Sequence, residues 1–397
     1  MELSRRIRNM EYSPIRKLAS YGEDAKNKGI KIYHLNIGQP DIETPKEFIT
    51  GINNYNDEVL KYAQSQGLNS LINSFIEYYQ KWGIHFDSDE ILITNGGSEA
   101  ISFALTAICD IDDEIIIPEP FYTNYTGFAA GASVKVVPFI TKAENGFHLP
   151  PREVIEEKIT SKTKAIMLSN PGNPTGVIYS EDEIRLVADI CKKHNLFFIS
   201  DEVYREFVYD GLKYSSPLYM KDIEDRVILI DSISKRYSAC GARIGLIASK
   251  NKELISQVLK LCQTRLCSPT LEQLGAANLI NTREEYFSKV KKEYELRRNV
   301  VFEKLSNIPG VICKKPSGAF YIIAKLPIKS GDDFAKWLLT DFNYDNKTVM
   351  VAPANGFYGT KGLGEDEIRI SYCINIEDLT EAMDILEKAL NEYIKIQ

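Results

Sequence analysis

The chain has 397 residues, too many for one small core, so two domains are expected. Its composition is ordinary for a globular protein in water, with 44% hydrophobic and 26% charged residues; its net charge of −7 argues against nonspecific nucleic-acid binding. No apolar run approaches the ~18 residues of a membrane span, Met1 to Arg8 lacks the apolar core of a signal peptide, and seven cysteines without CxxC spacing point to a reducing, cytoplasmic setting rather than a disulfide framework.

In chain order, residues 1–33 are expected to form a polar N-terminal arm and helix, with Pro14 near its start. The turn at 35–41 contains Gly38, which permits close backbone approach to a ligand. Thr44-Pro-Lys-Glu47 predicts a helix start, with a capping box and proline at the first helical position. A short strand at 91–94 runs into Asn95-Gly-Gly-Ser-Glu99, which opens an apolar helix over 100–108. Such a turn offers unpaired backbone amides to an anion, here those of Gly97, Ser98 and Glu99. Glu99 would act through its main chain, because its carboxylate repels an anion. A buried strand at 114–118 ends near Phe121 and Tyr122.

Three apolar runs then end in polar residues. The first, 165–169, leads into Asn170-Pro-Gly-Asn173-Pro-Thr-Gly176. A helix capped by Ser180-Glu-Asp-Glu183 separates it from the second, 196–200, which ends at Asp201 and Tyr204. The third, 227–230, leads into Asp231, Ser232, Ser234 and Lys235, and Arg243 follows. A strand returns at 244–248, and 250–282 is helical with a break at Ser268-Pro269. A long charged helix at 284–305 bridges to strands at 320–324 and 349–352 and a glycine-rich loop at 353–364. The strand at 367–372 places Arg369 and Ser371 on one face by its alternation, and an amphipathic helix at 379–394 ends the chain. Four scattered histidines form no metal-ligand pattern, so no metal is expected.

Open α/β sheets bind ligands outside the carboxyl ends of their strands, so Asn173, Asp201, Tyr204, Ser232 and Lys235 can converge on one ligand. These residues suit pyridoxal 5′-phosphate, which needs an amine to hold it as a Schiff base and an anion against its pyridine nitrogen. Lys235 supplies the amine and Asp201 the anion; Tyr204 and Asn173 suit the ring hydroxyl. Ser232, Ser234 and Arg243 suit the phosphate. Each has an ordinary alternative: most lysines are solvated charge, and an arginine such as Arg243 is commonly a surface residue.

The run Ser232-Ile-Ser-Lys-Arg-Tyr-Ser-Ala-Cys-Gly-Ala-Arg243-Ile-Gly245 resembles the lysine signature of class I aminotransferases, the aspartate aminotransferase-like enzymes of fold type I. The resemblance extends to Asn170 through Gly176, Asp201 with Tyr204, and Arg369-Ile-Ser371, in the same order and spacing over nearly the whole chain. Ser-x-x-Lys alone is weak; four motifs in order are specific. The resemblance implies an α/β fold: a large domain with a mostly parallel central sheet flanked by helices, and a smaller α+β domain. It divides the chain into an N-terminal arm at 1–45, a cofactor-binding domain at 46–285 and a small domain at 286–397. It assigns Tyr122 to stacking on the cofactor and Tyr62 to the phosphate of a neighbouring subunit, which implies a homodimer with shared sites. It places Gly38, Asn173 and Arg369 at the substrate carboxylate.

The implied activity is ping-pong transfer of an amino group from an L-amino acid to a 2-oxo acid, with Lys235 as general base. Aspartate with 2-oxoglutarate is the first expectation. Neither known device for a second carboxylate is cleanly present, since Arg265 is offset by one residue and Ser98 stands where a bacterial subgroup has lysine. An aromatic or broad-specificity aminotransferase, or a C–S β-lyase on the same fold, are the alternatives. A non-enzymatic effector-binding domain, which usually carries an appended DNA-binding helix-turn-helix, ranks far lower, because the stretch before the Gly38 loop is short and the net charge is negative.

Overall fold

The computed structural model describes residues 1–10 and 12–397. Its strands are β1 (Lys31–His34), β2 (Ile91–Thr94), β3 (Glu114–Glu119), β4 (Lys135–Ile140), β5 (Thr163–Ser169), β6 (Phe197–Asp201), β7 (Val227–Ser232), β8 (Gly245–Ala248), β9 (Ile312–Cys313), β10 (Tyr321–Lys325), β11 (Lys347–Met350), β12 (Ala352–Pro353) and β13 (Glu367–Ser371). Seven form one sheet in the order β2-β8-β7-β6-β5-β3-β4. β3 to β7 pair in parallel, and β8 lies antiparallel between β2 and β7.

The central strands are continuous apolar runs because both faces of this sheet are covered, as is usual for parallel sheets. Successive side chains of a strand alternate between faces. Ile228 and Ile230 accordingly pack with Ala100, Ala104, Leu105 and Val258 from helices Gly96–Ile108 and Lys252–Arg265. Val227 and Leu229 pack on the opposite side with Phe75, Tyr79, Ile184 and Val187 from helices Asn69–Lys81 and Glu181–His194. Each such side chain, fully buried, contributes about 1.5–3 kcal/mol of transfer free energy.

The smaller core joins both ends of the chain. An antiparallel sheet, β12-β13-β10-β9, lies beside a parallel pair, β1-β11. Leu18, Ala25 and Ile32 meet Val301, Leu305, Phe334, Leu338, Leu386 and Leu390 there. Helix Glu284–Ser306 spans the two cores: Tyr286 and Phe287 pack against the first, Val301 and Leu305 belong to the second.

Some expectations give way. The arm holds a strand, β1, after helix Ala19–Asn27, and the chain reaches it through a turn at Gly29 with φ +81°. β4 was not foreseen, because Pro138 sits inside its short apolar run, which an edge strand tolerates but a local reading counts against a strand. Thr44 caps no helix: its hydroxyl donates to Ser238 O at 2.8 Å, and helix Lys46–Asn53 starts at Pro45 without a side-chain cap. Ser180 does cap, accepting from Glu183 N at 3.2 Å, while the Glu183 carboxylate accepts from Ser180 N at 2.8 Å. The last helix, Ile376–Tyr393, begins three residues early because Asn375 supplies its cap. Among the described residues no helix is long and apolar enough to cross a membrane.

Candidate active site

β5, β6 and β7 end side by side, and beyond them lies a cavity of about 540 Å³ closed by residues of the smaller core. Lys235, Asp201, Tyr204, Asn173, Ser232, Ser234, Arg243, Gly97, Ser98, Tyr122, Gly38 and Arg369 all line it. Lys235 sits in the one-turn helix Ile233–Arg236, whose first amides are held by the Ser232 hydroxyl, with Ser234 N donating at 3.1 Å. Its ammonium donates to Gly38 O at 2.8 Å. A ligand was expected against Gly38, but the close neighbour is a ring. A Cβ there would come within 1.9 Å of the Tyr321 hydroxyl, so glycine is required for the loop to pass.

Asp201 closes β6. Tyr125 donates to one carboxylate oxygen at 2.6 Å and the Val203 amide to the other at 3.3 Å. Burial pushes this carboxyl up to about 6, and the two hydrogen bonds only partly oppose it. Among the described residues no lysine or arginine forms an ion pair with it. A buried carboxylate is costly unless paired, so the pocket is suited to a cation arriving with a ligand. Tyr204 turns its hydroxyl to that of Tyr321 at 2.8 Å.

One end of the cavity is built for an anion. The hydroxyls of Ser232 and Ser234 lie 2.7 Å apart. Arg243 donates to Cys240 O at 3.1 Å and Asn95 O at 3.4 Å, and its guanidinium lies flat against Gly96. A Cβ at Gly96 would stand 2.3 Å from Arg243 Nη2, and the residue has φ +76°. The sequence drew attention to Gly97, but Gly96 is the position where only glycine fits. The first-turn amides of helix Gly96–Ile108 have no intrahelical acceptor and face the same end. Glu99 turns away: its carboxylate accepts from Asn95 N at 2.8 Å and pairs with Arg265 at 3.3 Å. It does not line the cavity, so only its main chain remains for the expected role.

The other end holds Arg369. It is 1% exposed, yet among the described residues it has no carboxylate partner. Nη1 donates to Asn173 Oδ1 at 3.1 Å and Nη2 to Asn36 O, while the guanidinium stacks between Tyr321 and Phe357 at 4.6 and 4.8 Å. Nε has no partner, nor has the hydroxyl of Ser371 on the same face. Burial draws Arg369 below the ordinary arginine range. A forked, buried cation with a free edge matches a carboxylate.

Tyr122 lines the cavity, whereas Phe121 is buried in the helix-packed core. Tyr62 is 80% exposed and lies outside the cavity. Arg265 is likewise outside, donating to Ser268 Oγ and Ile93 O and paired with Glu99. Sequence reasoning missed Tyr125, Asn36, Tyr321 and Arg16, which complete the walls or hold their charges. Nothing local marks them; Tyr125 is only a tyrosine in an apolar helix until β6 is placed beside it. The donor set fits pyridoxal phosphate: an amine, an unpaired buried acid and a basic, hydroxyl-rich anion end share one cavity, with a second carboxylate-sized opening at Arg369.

The model of the family aminotransferase class I and II matches residues 30–386. The chain is 30% identical to an aspartate aminotransferase of Bacillus subtilis (strain 168), covering 99% of this chain and all of that one. It is 32% identical to aromatic-amino-acid aminotransferase 2 of Thermococcus litoralis, with 99% of each covered. A solved alanine aminotransferase from Pyrococcus furiosus superposes with a TM-score of 0.89 at 31% identity, over 98% of this chain and all of the other.

Proposed function

The chain belongs to the aminotransferase class I and II family and is a pyridoxal phosphate-dependent transaminase; we propose that it carries the amino group of an acidic amino acid, aspartate first, to 2-oxoglutarate. The observation that carries the amino-acid reading is Arg369, a fully buried guanidinium with no acid beside it among the described residues, in the same cavity as Lys235 and Asp201, while the choice of aspartate leans on the likeness to aspartate aminotransferases. An α-carboxylate that all amino-acid and 2-oxo-acid substrates share is the anion it lacks.

When bound, the cofactor supplies a conjugated ring that takes up the electron pair left on the substrate α-carbon. The residues of this chain do the rest. Lys235 Nζ is the amine that would hold the cofactor, and in its neutral form it would remove and return the substrate α-proton. Asp201, as an anion, keeps a proton on the ring nitrogen. Tyr204 and Asn173 would hold the ring hydroxyl, and Tyr122 would line the ring's site. Ser232, Ser234, Arg243 and the amides of Gly97, Ser98 and Glu99 take the phosphate. Arg369 and Asn173 would hold the substrate carboxylate and orient the substrate in the cavity. Gly38 borders that carboxylate.

The same reading divides the chain at 1–45, 46–285 and 286–397, in keeping with two separate cores. It makes the protein a homodimer in which Tyr62, too exposed for its own site, serves the partner. Seven unpaired cysteines favour a reducing compartment such as the cytoplasm. A second reading, a neutral or aromatic donor, draws support from Arg265, whose charge Glu99 already neutralises. Initial rates over a panel of donors with 2-oxoglutarate separate the two. Aspartate leading, with parallel double-reciprocal lines, supports the first; phenylalanine or alanine leading refutes it. Lys235→Ala should bind the cofactor and not turn over, and retained turnover would remove Lys235 as the base.

A further inference from the structure

The cavity contains a cation that the transamination chemistry above does not use. Arg16 lines the wall, on the N-terminal arm, together with Tyr122, Asn173 and Arg369. Among the described residues its guanidinium has no ion pair and no hydrogen bond, and its charge is felt at the Tyr122 phenol. The other cations of the region are accounted for. Arg243 belongs to the anion end formed by Ser232 and Ser234, Lys235 is the amine, and Arg265 is paired with Glu99 outside the cavity.

The arm at this point is built into the site rather than draped over it. Arg16 N and Lys17 N both donate to Ser13 O, at 3.0 and 3.1 Å, making a tight turn. Pro14 packs so closely on Gly356 that a Cβ there would meet its ring at 2.5 Å. Lys17 forms an ion pair with Asp332. Asn36 then ties the turn to the substrate end: its amide donates to Ile15 O at 3.2 Å, while its own carbonyl accepts from Arg369 Nη2. Both arginines are therefore referenced to the same residue, one deep and neutralised by nothing, the other at the open wall.

We propose that Arg16 receives the second, distal carboxylate of a dicarboxylic substrate, so that an acidic amino acid is held between Arg369 at its α-carboxylate and Arg16 at its side chain. This rests on the reading that the donor is acidic. It supplies the device for a second carboxylate that Ser98 and Arg265 do not. A point charge at an open wall attracts the dianion over a neutral side chain, and the fork of arginine adds a directed pair of hydrogen bonds that lysine lacks. Neutral donors would seat at Arg369 alone.

The test uses the holoenzyme with Arg16→Gln and Arg16→Lys. Arg16 is exposed, so both variants should melt with the parent. For Arg16→Gln, the ratio of kcat/KM for aspartate to that for alanine should fall by about ten- to a hundredfold, the range of one charge-assisted contact. Arg16→Lys should recover part of it. In calorimetry, succinate should bind the parent more tightly than butyrate, and Arg16→Gln should remove most of that preference. An equal fall for aspartate and alanine, or a succinate preference kept by Arg16→Gln, overturns the role of Arg16 while leaving the acidic-donor reading intact. A parent enzyme that favours alanine and binds succinate no better than butyrate overturns both.

Discussion

Two arginines in this molecule are equally buried and differently used. Arg236, behind the lysine turn, and Arg369, on the face of β13, are each 1% exposed. Arg236 meets Asp231 through both terminal nitrogens, at 3.1 and 2.7 Å, and touches the Tyr78 hydroxyl at 3.2 Å. Burial opposes its charge, but Asp231 and the phenols of Tyr78 and Tyr79 hold it well above the ordinary arginine range. Arg369 has only an amide oxygen, a backbone carbonyl and two aromatic faces, and burial draws it down. A buried charge with its counter-charge built in is scaffold. A buried charge with no counter-charge among the described residues marks where a ligand brings one.

The sharpest way to break this comparison is to neutralise Arg369. Arg369→Gln should lower kcat/KM for every donor by about 10²–10⁴, from two charge-assisted contacts of about 1.5–3 kcal/mol each, without lowering the melting temperature. A destabilised variant would mean that Arg369 is scaffold after all. Asp231→Asn should do the reverse, costing about 3–5 kcal/mol in denaturant unfolding because Arg236 is left unpaired. Replacing both, as Asp231→Leu with Arg236→Met, should return most of that stability.

Asp201 is the acidic counterpart of Arg369, a buried charge awaiting a partner. Its folded carboxyl titrates at about 6 against an unfolded value near 3.8. Its contribution to stability is therefore complete below about pH 3.8 and lost as pH rises through 6. In the cofactor-free protein, Asp201→Asn should raise unfolding free energy by about 1–3 kcal/mol at pH 8 and leave it unchanged at pH 3.5. A gain independent of pH would contradict the assignment. The smallest effect belongs to Glu119, which is buried but satisfied without any cation. Its carboxylate accepts from Gly359 N, Thr360 N and the Thr360 hydroxyl at 2.8, 2.9 and 2.6 Å. Glu119→Gln should cost about 1–2 kcal/mol, seen as earlier melting, because the two loop amides then meet a neutral amide oxygen in place of a carboxylate oxygen.

Arg243, eleven residues past β7, was legible through the run it shares with Lys235. Asp201, Ser232 and Lys235 were legible as cavity-lining residues because each closes an apolar strand or follows it by three residues, and strand ends are readable from local pattern. Asn173 was legible for the same reason. Gly96 was overshadowed by Gly97, because which of two glycines needs a positive φ is a property of the turn and not of its composition. Thr44 matched a capping pattern, yet its hydroxyl found Ser238, 194 residues away. The arm was read as polar covering, though it contributes a strand and a cavity wall.

The sequence by itself determined the apolar runs and the set of groups available for chemistry, since burial periodicity and strand-end position are encoded over stretches of a few residues, and its motifs carried the resemblance that implied the mostly parallel α/β fold. The pairing of those groups was decided only in three dimensions. That Arg236 has an acid and Arg369 has none among the described residues, that Glu99 takes Arg265 out of service, and that Arg16 faces the same space as Arg369 all depend on contacts between distant segments. Electrostatic partnership falls off over a few ångströms, and no spacing along the chain reports which ångströms the fold will close.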